Sequence, residues 1–130
     1  MNNTFEGSNV LVTGAAGFLG TNLVKRLSSL GANIRGTIYN RPPQFKVNGV
    51  EYVKADLTSE ESCKEVTNGM DYVFMAAANS SGAEIMEKTP LVHLTPNVVM
   101  NAQILAAAYE NNIKKFFIYI LNNFLFCHTV

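Results

Sequence analysis

Short apolar runs recur along the chain and predict strands. The first reads NVLVT from Asn9 to Thr13, and Gly14 stops it. A brief β-branched run of this kind is typical of a strand that is buried on both faces of a parallel sheet. Four more runs predict further strands, at residues 33–39, 50–54, 71–76 and 115–121.

Helical spacing follows the first and third of these runs. Leucines that recur every three or four residues from Leu19 to Leu30 form one apolar face, and Gly31 is placed to end that helix. The sequence TSEE at 58–61 matches a capping box and predicts a short helix over 59–68. Each helix would return the chain to the start of the next strand.

A further helix is predicted before the last strand. Thr95 is placed to cap it and Pro96 to occupy its first position, where a missing N–H is harmless. The apolar stripe that we expect to face the core is Val98, Ala102, Leu105 and Tyr109. The order of strands and helices predicts an α/β fold, a doubly wound parallel sheet of about five strands with helices on both faces. Such sheets bind ligands at the carboxyl ends of their strands.

Composition and charge narrow the class of protein. The 130 residues are 48% hydrophobic and 15% charged, with a formal net charge of zero. This composition is typical of one soluble globular domain, and zero charge gives no long-range field to attract nucleic acid or anionic lipid. The first residues carry no secretory pattern, and the apolar stretch 116–127 is shorter than the roughly 20 residues of a membrane span. We therefore expect a cytoplasmic protein without nucleic-acid or membrane partners.

The turn after the first predicted strand carries the strongest functional motif. It reads TGAAGFLG from Thr13 to Gly20, with a glycine at every third position. In such a turn Gly14 makes the tight bend, Gly17 lets the backbone approach a diphosphate, and Gly20 lets the helix pack close to the sheet. The helix amino terminus then offers free N–H groups to the phosphates. The motif predicts a dinucleotide site, and no Lys-Ser or Lys-Thr pair follows it to support a P-loop.

Three stretches of the sequence resemble motifs of a known family. TGAAGFLG, ADLT at 55–58 and MAAA at 75–78 are similar to motifs of the extended short-chain dehydrogenase/reductase family. Within it, DYVFMAAA and NNIKKFFI resemble the NAD(P)-dependent epimerases, dehydratases and reductases of nucleotide sugars, the GDP-fucose synthase branch in particular. The resemblance covers about residues 8–120. It implies the amino-terminal part of a Rossmann fold, a nicotinamide dinucleotide cofactor, and a nucleotide-sugar substrate in the full-length enzyme.

The resemblance also implies which residues line the cofactor. Phe18 and Leu19 would lie beside the diphosphate, and residues 76–78 would follow the inner ribose. Asp56 would accept a hydrogen bond from the adenine amino group, and Leu57 would offer the ring an apolar edge. The complete predicted set of cofactor-binding residues is Gly14, Ala16, Gly17, Phe18, Leu19, Gly20, Arg41, Asp56, Leu57, Ala76, Ala77 and Ala78.

Some of these positions have a purely structural alternative. Asp56 could be a favourable charge at a helix start, and the three alanines at 76–78 could serve tight packing between helix and sheet. Asn97 falls near a family position that borders the cofactor, but it could equally be a polar residue at the start of its helix.

The end of the second predicted strand bears on the choice of cofactor. The resemblance implies that NAD-specific members place an acidic residue there for the ribose hydroxyls. This chain has none between Ile34 and Pro43, but it has Arg35 and Arg41. Because an arginine suits a 2′-phosphate, we expect NADP or NAD with a slight preference for NADP.

The acid/base pair of the family is absent from this sequence. Family chemistry transfers a hydride to or from the nicotinamide, helped by a tyrosine and a lysine four residues later. The residues four places after the five tyrosines are Pro43, Asp56, Ala76, Ile113 and Asn123. We therefore assign no catalytic and no metal-binding residues and expect the chain to bind cofactor at best. The alternatives are a non-catalytic dinucleotide-sensing or regulatory module and an inert fragment.

The likeness to the family stops at about Ile120. We expect an incomplete dinucleotide-binding domain over 1–120 and an apolar tail over 121–130 without family counterpart, as in a truncated or frameshifted reading frame. An open sheet edge and an apolar tail both favour pairing with another chain, so we also expect self-association.

Overall fold

The computed structural model describes residues 3–80 and 83–118. They form a parallel sheet with helices on both faces. Its elements are β1 (Asn9–Thr13), α1 (Phe18–Ser29), β2 (Asn33–Ile38), β3 (Glu51–Lys54), α2 (Glu60–Thr67), β4 (Tyr72–Met75), α3 (Ala83–Lys88), α4 (Pro90–Glu110) and β5 (Lys115–Ile118). The strands pair in the order β3-β2-β1-β4-β5, and every pair is parallel. The predicted doubly wound sheet is confirmed. The predicted tail 121–130 lies outside the described residues.

Each face of the sheet has its own core. Side chains alternate across a strand, so β1 sends Leu11 to one face and Val10 and Val12 to the other, all fully buried. Val10 and Val12 pack beneath α1 with Val24, Leu27 and Ile34. Leu11 packs beneath α2 and α4 with Val73, Met75, Cys63, Val66, Ile104 and Ala107. The central strand is therefore fixed from both sides, and the glycine turn that follows it starts from a rigid position.

The predicted start of α2 is refined by the structure. Ser59 is the N-cap, and its hydroxyl accepts a hydrogen bond from the backbone N–H of Ser62 at 3.3 Å. Thr58, the first residue of the predicted capping box, donates its hydroxyl to Asp56 instead, at 2.6 Å. The helix is thus capped one residue later than the TSEE pattern indicates.

The predicted start of α4 at Pro96 is wrong. The helix begins at Pro90 with Thr89 as its N-cap, so the chain uses the first of two Thr-Pro pairs. Pro96 lies inside the helix and cannot bond to the carbonyl of Val92. Val92 is 58% exposed, so this part of the helix lies at the surface.

The predicted inner stripe of α4 faces outward. Val98 is 49% exposed, Leu105 54% and Tyr109 87%, whereas Ile104 and Ala107 are buried against the sheet. Both faces of this helix are apolar, so helical spacing alone does not identify the face that packs. By length and composition α4 could also cross a membrane, a property it shares with core helices of soluble proteins.

One carboxylate joins three strands at the amino-terminal edge of the sheet. Asp71, just before β4, accepts hydrogen bonds from the backbone N–H of Asn9 at 2.8 Å and from Lys114 Nζ at 2.9 Å. Asn9 begins β1, and Lys114 precedes β5. The hydrogen bond from Lys114, together with the one from Asn9, lowers the pKa of Asp71.

Candidate functional site

The glycine turn presses against the segment that leaves β4. Gly14 has a φ of +65°, a backbone conformation that favours glycine. A Cβ atom added there would lie 2.7 Å from Ala77 Cα and 2.8 Å from Ala77 N. The positive φ and the lack of room for a Cβ atom both require glycine at this position. This close approach brings residues 14 and 76–77 of the predicted site into contact.

The other two glycines of the motif have different tasks. A Cβ on Gly20 would stand 2.0 Å from the carbonyl oxygen of Gly14, so α1 packs directly on the turn. A Cβ on Gly17 would lie 3.3 Å from that same oxygen and needs only a small adjustment. Gly20 is therefore required by packing, whereas Gly17 leaves space on the outside of the turn.

The amino terminus of α1 is open. Its N-cap is Gly17, which provides no capping side chain, and its first turn carries no acidic residue. The first backbone N–H groups of a helix have no intrahelical partner, so those of Phe18 and Leu19 are available to an anion. Phe18 is 90% exposed beside them. This arrangement provides N–H donors and a positive helix dipole for a diphosphate.

Two buried threonines hold the turn in place. Thr13 Oγ1 accepts hydrogen bonds from Ala76 N and Ala77 N, each at 3.1 Å. Thr37, at the end of β2, accepts from Gly14 N through its hydroxyl at 3.2 Å and from Ala15 N through its carbonyl at 2.8 Å. Neither threonine is among the predicted site residues, although a threonine at the end of a buried strand beside a glycine turn is a usable signal.

Four strand ends form a row along the carboxyl edge. In sheet order they lead to Asp56 after β3, Arg41 after β2, Gly14 after β1 and Ala76 after β4. The predicted cofactor residues thus lie at one edge, on adjacent strands, as a dinucleotide that spans the sheet would need.

Asp56 and Leu57 have local roles at the end of β3. Asp56 Oδ1 accepts from the Thr58 hydroxyl at 2.6 Å and from Thr58 N at 3.0 Å, and these hydrogen bonds lower its pKa. This bonding agrees with the structural alternative for Asp56. Leu57 is 4% exposed and packs in the core with Cys63, so its side chain has little free surface for an adenine ring. Both adenine contacts stay predictions.

The two arginines considered for a 2′-phosphate lie at opposite edges. Arg35 Nε donates to Glu51 Oε2 at 2.8 Å, and its Nη1 donates to the carbonyls of Val66 and Asn68, each at 3.1 Å. Arg35 therefore bonds carbonyl groups at the carboxyl end of α2, away from the glycine turn. Arg41 is exposed in the loop after β2, so it alone of the two remains a candidate.

Other reactive side chains do not assemble into a site within the part of the chain that the structure describes. Burial raises the pKa of the Cys63 thiol to about 11, which leaves little of the nucleophilic thiolate. His93 is buried on α4, and neither ring nitrogen has a hydrogen-bond partner in the described part of the chain. Among residues 3–80 and 83–118, no three His, Cys, Asp or Glu side chains come close enough to hold a metal ion. Cys127 and His128 lie outside the described residues.

Comparison with known proteins was made by sequence and by structure. A model of the family described as "NAD dependent epimerase/dehydratase family" matches residues 10–125. GDP-mannose 3,5-epimerase 1 of Oryza sativa subsp. japonica is 31% identical over 114 residues, which cover 86% of this chain and 30% of that protein. The 2-alkyl-3-oxoalkanoate reductase of Shewanella oneidensis is 32% identical over 108 residues, 83% of this chain and 27% of that protein.

Solved structures of similar proteins share the sheet. An epimerase from Methanothermobacter thermautotrophicus superposes with a TM-score of 0.78 at 28% identity, over 89% of this chain and 36% of that one. MoeE5, in complex with UDP-glucose and NAD, superposes with a TM-score of 0.72 at 25% identity, over 85% of this chain and 35% of that one. The chain thus spans about a third of the length of the proteins it matches. With the family match over most of its residues, and with this sheet and glycine turn, the chain belongs to the NAD dependent epimerase/dehydratase family.

Proposed function

We propose that this chain binds a nicotinamide dinucleotide across the carboxyl edge of its sheet. The diphosphate would lie on the amino terminus of α1, beside Gly17, and the nicotinamide half would follow residues 76–78. The open amino terminus of α1 is the observation that carries the proposal, because an uncapped helix start without acidic residues attracts an anion. The NAD in the MoeE5 complex supports the choice of ligand class.

Within that class we propose NADP over NAD. β2 ends in Ile38, and the exposed Tyr39 follows it, so this strand end offers no carboxylate to bond the ribose hydroxyls. Of the two arginines considered, Arg41 is the one that we expect to reach a 2′-phosphate, since Arg35 is engaged at the other edge. The preference therefore depends on one exposed side chain.

Titration calorimetry with NADP+ and NAD+ tests both proposals on the wild-type chain. We expect both to bind, NADP+ more tightly. Arg41→Ala should weaken NADP+ by about tenfold, the equivalent of one charge-assisted hydrogen bond, and leave NAD+ unchanged. Lys46→Ala, which removes another exposed cation of the same loop, is the matched control. Failure of the wild-type chain to bind either dinucleotide would mean an inert fragment.

For the longer protein of which such a chain forms a part, we propose an epimerase, dehydratase or reductase of a nucleotide sugar. The names of the rice relative and of the MoeE5 complex support this substrate class. For the 130-residue chain we propose binding without turnover, because no tyrosine is followed by a lysine four residues later. NAD(P)-dependent epimerisation or reduction of a GDP- or UDP-sugar by the purified chain would contradict this.

We also propose that the chain self-associates. The exposed apolar stripe of α4, which includes Val98, Leu105 and Tyr109, supports this more directly than the sheet edge does. Sedimentation of Leu105→Glu should give a smaller species than the wild type, whereas the control Lys25→Glu, at an exposed position on α1, should not. A wild-type monomer at high concentration would contradict the proposal.

A further inference from the structure

The segment that leaves β4 is held at two points. At its start, the Thr13 hydroxyl accepts from Ala76 N and Ala77 N, as described above. At its end, Asn97 of α4 uses both ends of its carboxamide on one residue. Asn97 Oδ1 accepts from Asn79 N at 2.7 Å, and Asn97 Nδ2 donates to the Asn79 carbonyl at 3.0 Å.

These two hydrogen bonds reproduce the pairing that a neighbouring strand would give. Asn79 is exposed and follows the end of β4, and its main chain meets the Asn97 side chain instead of another strand. Because the carboxamide must accept at one end and donate at the other, only one orientation of Asn97 satisfies both bonds. The course of the segment is thereby fixed relative to α4.

The helix that carries Asn97 is itself anchored. Two turns further along the same face, Ile104 is fully buried in the core beneath the sheet, and Met100 packs against that core between them. The position of residues 76–79 is thus set by the core through α4. Both polar atoms of the Asn97 side chain are thus engaged with the main chain of Asn79.

We propose that Asn97 is a positioning residue for cofactor binding, which acts by holding Asn79 and so keeping residues 76–78 beside the glycine turn. This inference rests on the proposed function, since it concerns the same dinucleotide site. Asn97 lies seven residues beyond the start of α4, so the role of a polar residue at the helix start is wrong, and we assign it to the site through the main chain of Asn79.

The experiment compares Asn97→Asp with Asn97→Leu. The aspartate has the same shape; when ionised it accepts from Asn79 N–H but opposes the Asn79 carbonyl, and when protonated it can donate again. We expect Asn97→Asp to bind NADP+ about tenfold more weakly than the wild type at pH 8 and to approach wild-type affinity toward pH 3, below the ordinary aspartate pKa of about 3.9. Asn97→Leu should be weaker at every pH. Affinities are compared with the wild type at each pH, because the phosphates of the ligand titrate too.

Asn101→Asp is the matched control, one helical turn away from Asn97 on α4. It should follow the wild type across the pH range. Circular dichroism and urea unfolding establish that each variant is folded. Loss of affinity in Asn97→Asp without recovery in acid would overturn the proposal, as would wild-type affinity in Asn97→Leu.

A second readout needs no cofactor. Hydrogen exchange of the Asn79 amide should accelerate in Asn97→Leu and stay slow in Asn101→Asp. If the wild-type chain binds no dinucleotide, the proposed function fails. The exchange data then still decide whether Asn97 holds the segment, and unchanged exchange would overturn that part.

Discussion

Two helices begin at the carboxyl edge of the same sheet, and their amino termini are built in opposite ways. α2 starts with the Ser59 cap and two glutamates, Glu60 and Glu61, in its first turn. α1 starts with Gly17, without a capping side chain and without a carboxylate. Both helices have the same unpaired N–H groups and dipole, so the side chains decide the difference. A serine side chain caps α2, whereas α1 has no capping side chain, and we propose that a diphosphate binds there instead.

The largest effect on stability is expected from a side chain placed between α1 and the glycine turn. Gly20→Ala places a Cβ on the Gly14 carbonyl and should lower the free energy of unfolding by about 3 kcal/mol. Gly17→Ala is the control, because its Cβ needs only a small adjustment and should cost less than about 1 kcal/mol. Urea unfolding measures both. Equal stability of the two variants would show that the packing of α1 on the turn is looser than described.

Next in size is the conversion of the α1 amino terminus to the α2 type. Gly17→Asp supplies a cap and a negative charge, so stability should rise by a few tenths of a kcal/mol. Dinucleotide affinity should fall by about a hundredfold, because a carboxylate and a diphosphate would compete for the same N–H groups. Titration calorimetry checks this. Gly17→Asn, a cap without the charge, should lose less affinity, and equal losses would show that charge is not the cause.

The reverse change at α2 should affect stability alone. Ser59→Ala removes the hydrogen bond to Ser62 N and should cost about 1 kcal/mol in urea unfolding, with dinucleotide affinity unchanged. Ser62→Ala, in the same turn, keeps the cap and serves as the control. A loss of affinity in Ser59→Ala would mean that the two helix starts do not act independently.

The smallest effect lies at the opposite edge of the sheet. Because the pKa of Asp71 is lower in the folded chain than in the unfolded one, its bonds to Lys114 and Asn9 stabilise the fold at neutral pH. That contribution should be lost as the pH falls below about 4, and it should amount to less than about 1 kcal/mol because the ion pair is exposed. Urea unfolding of Asp71→Asn should lack this step between pH 5 and pH 2. An identical pH profile for wild type and variant would contradict the role of Asp71.

The sequence predicted the strands, their parallel arrangement and the glycine turn, because these depend on local signals such as NVLVT followed by Gly14. It did not predict which face of α4 packs, since Leu105 and Ile104 are both apolar and only the tertiary fold separates them. It left Arg35 as a phosphate candidate because an arginine in a strand does not reveal which edge its side chain reaches. It did not predict the roles of Thr13 and Thr37, or the partner of Asn97, because the groups that they bond are main-chain groups far along the chain.

The exposed residues that follow β2 can be substituted more freely than the glycines of the turn. Tyr39 and Arg41 stand outside both cores, whereas Gly14 and Gly20 are held by backbone contacts that admit no side chain. Substitutions at 39 and 41 therefore carry little folding cost. If Arg41 sets the cofactor preference as proposed, that preference can be redesigned at these surface positions while the glycine turn stays the same.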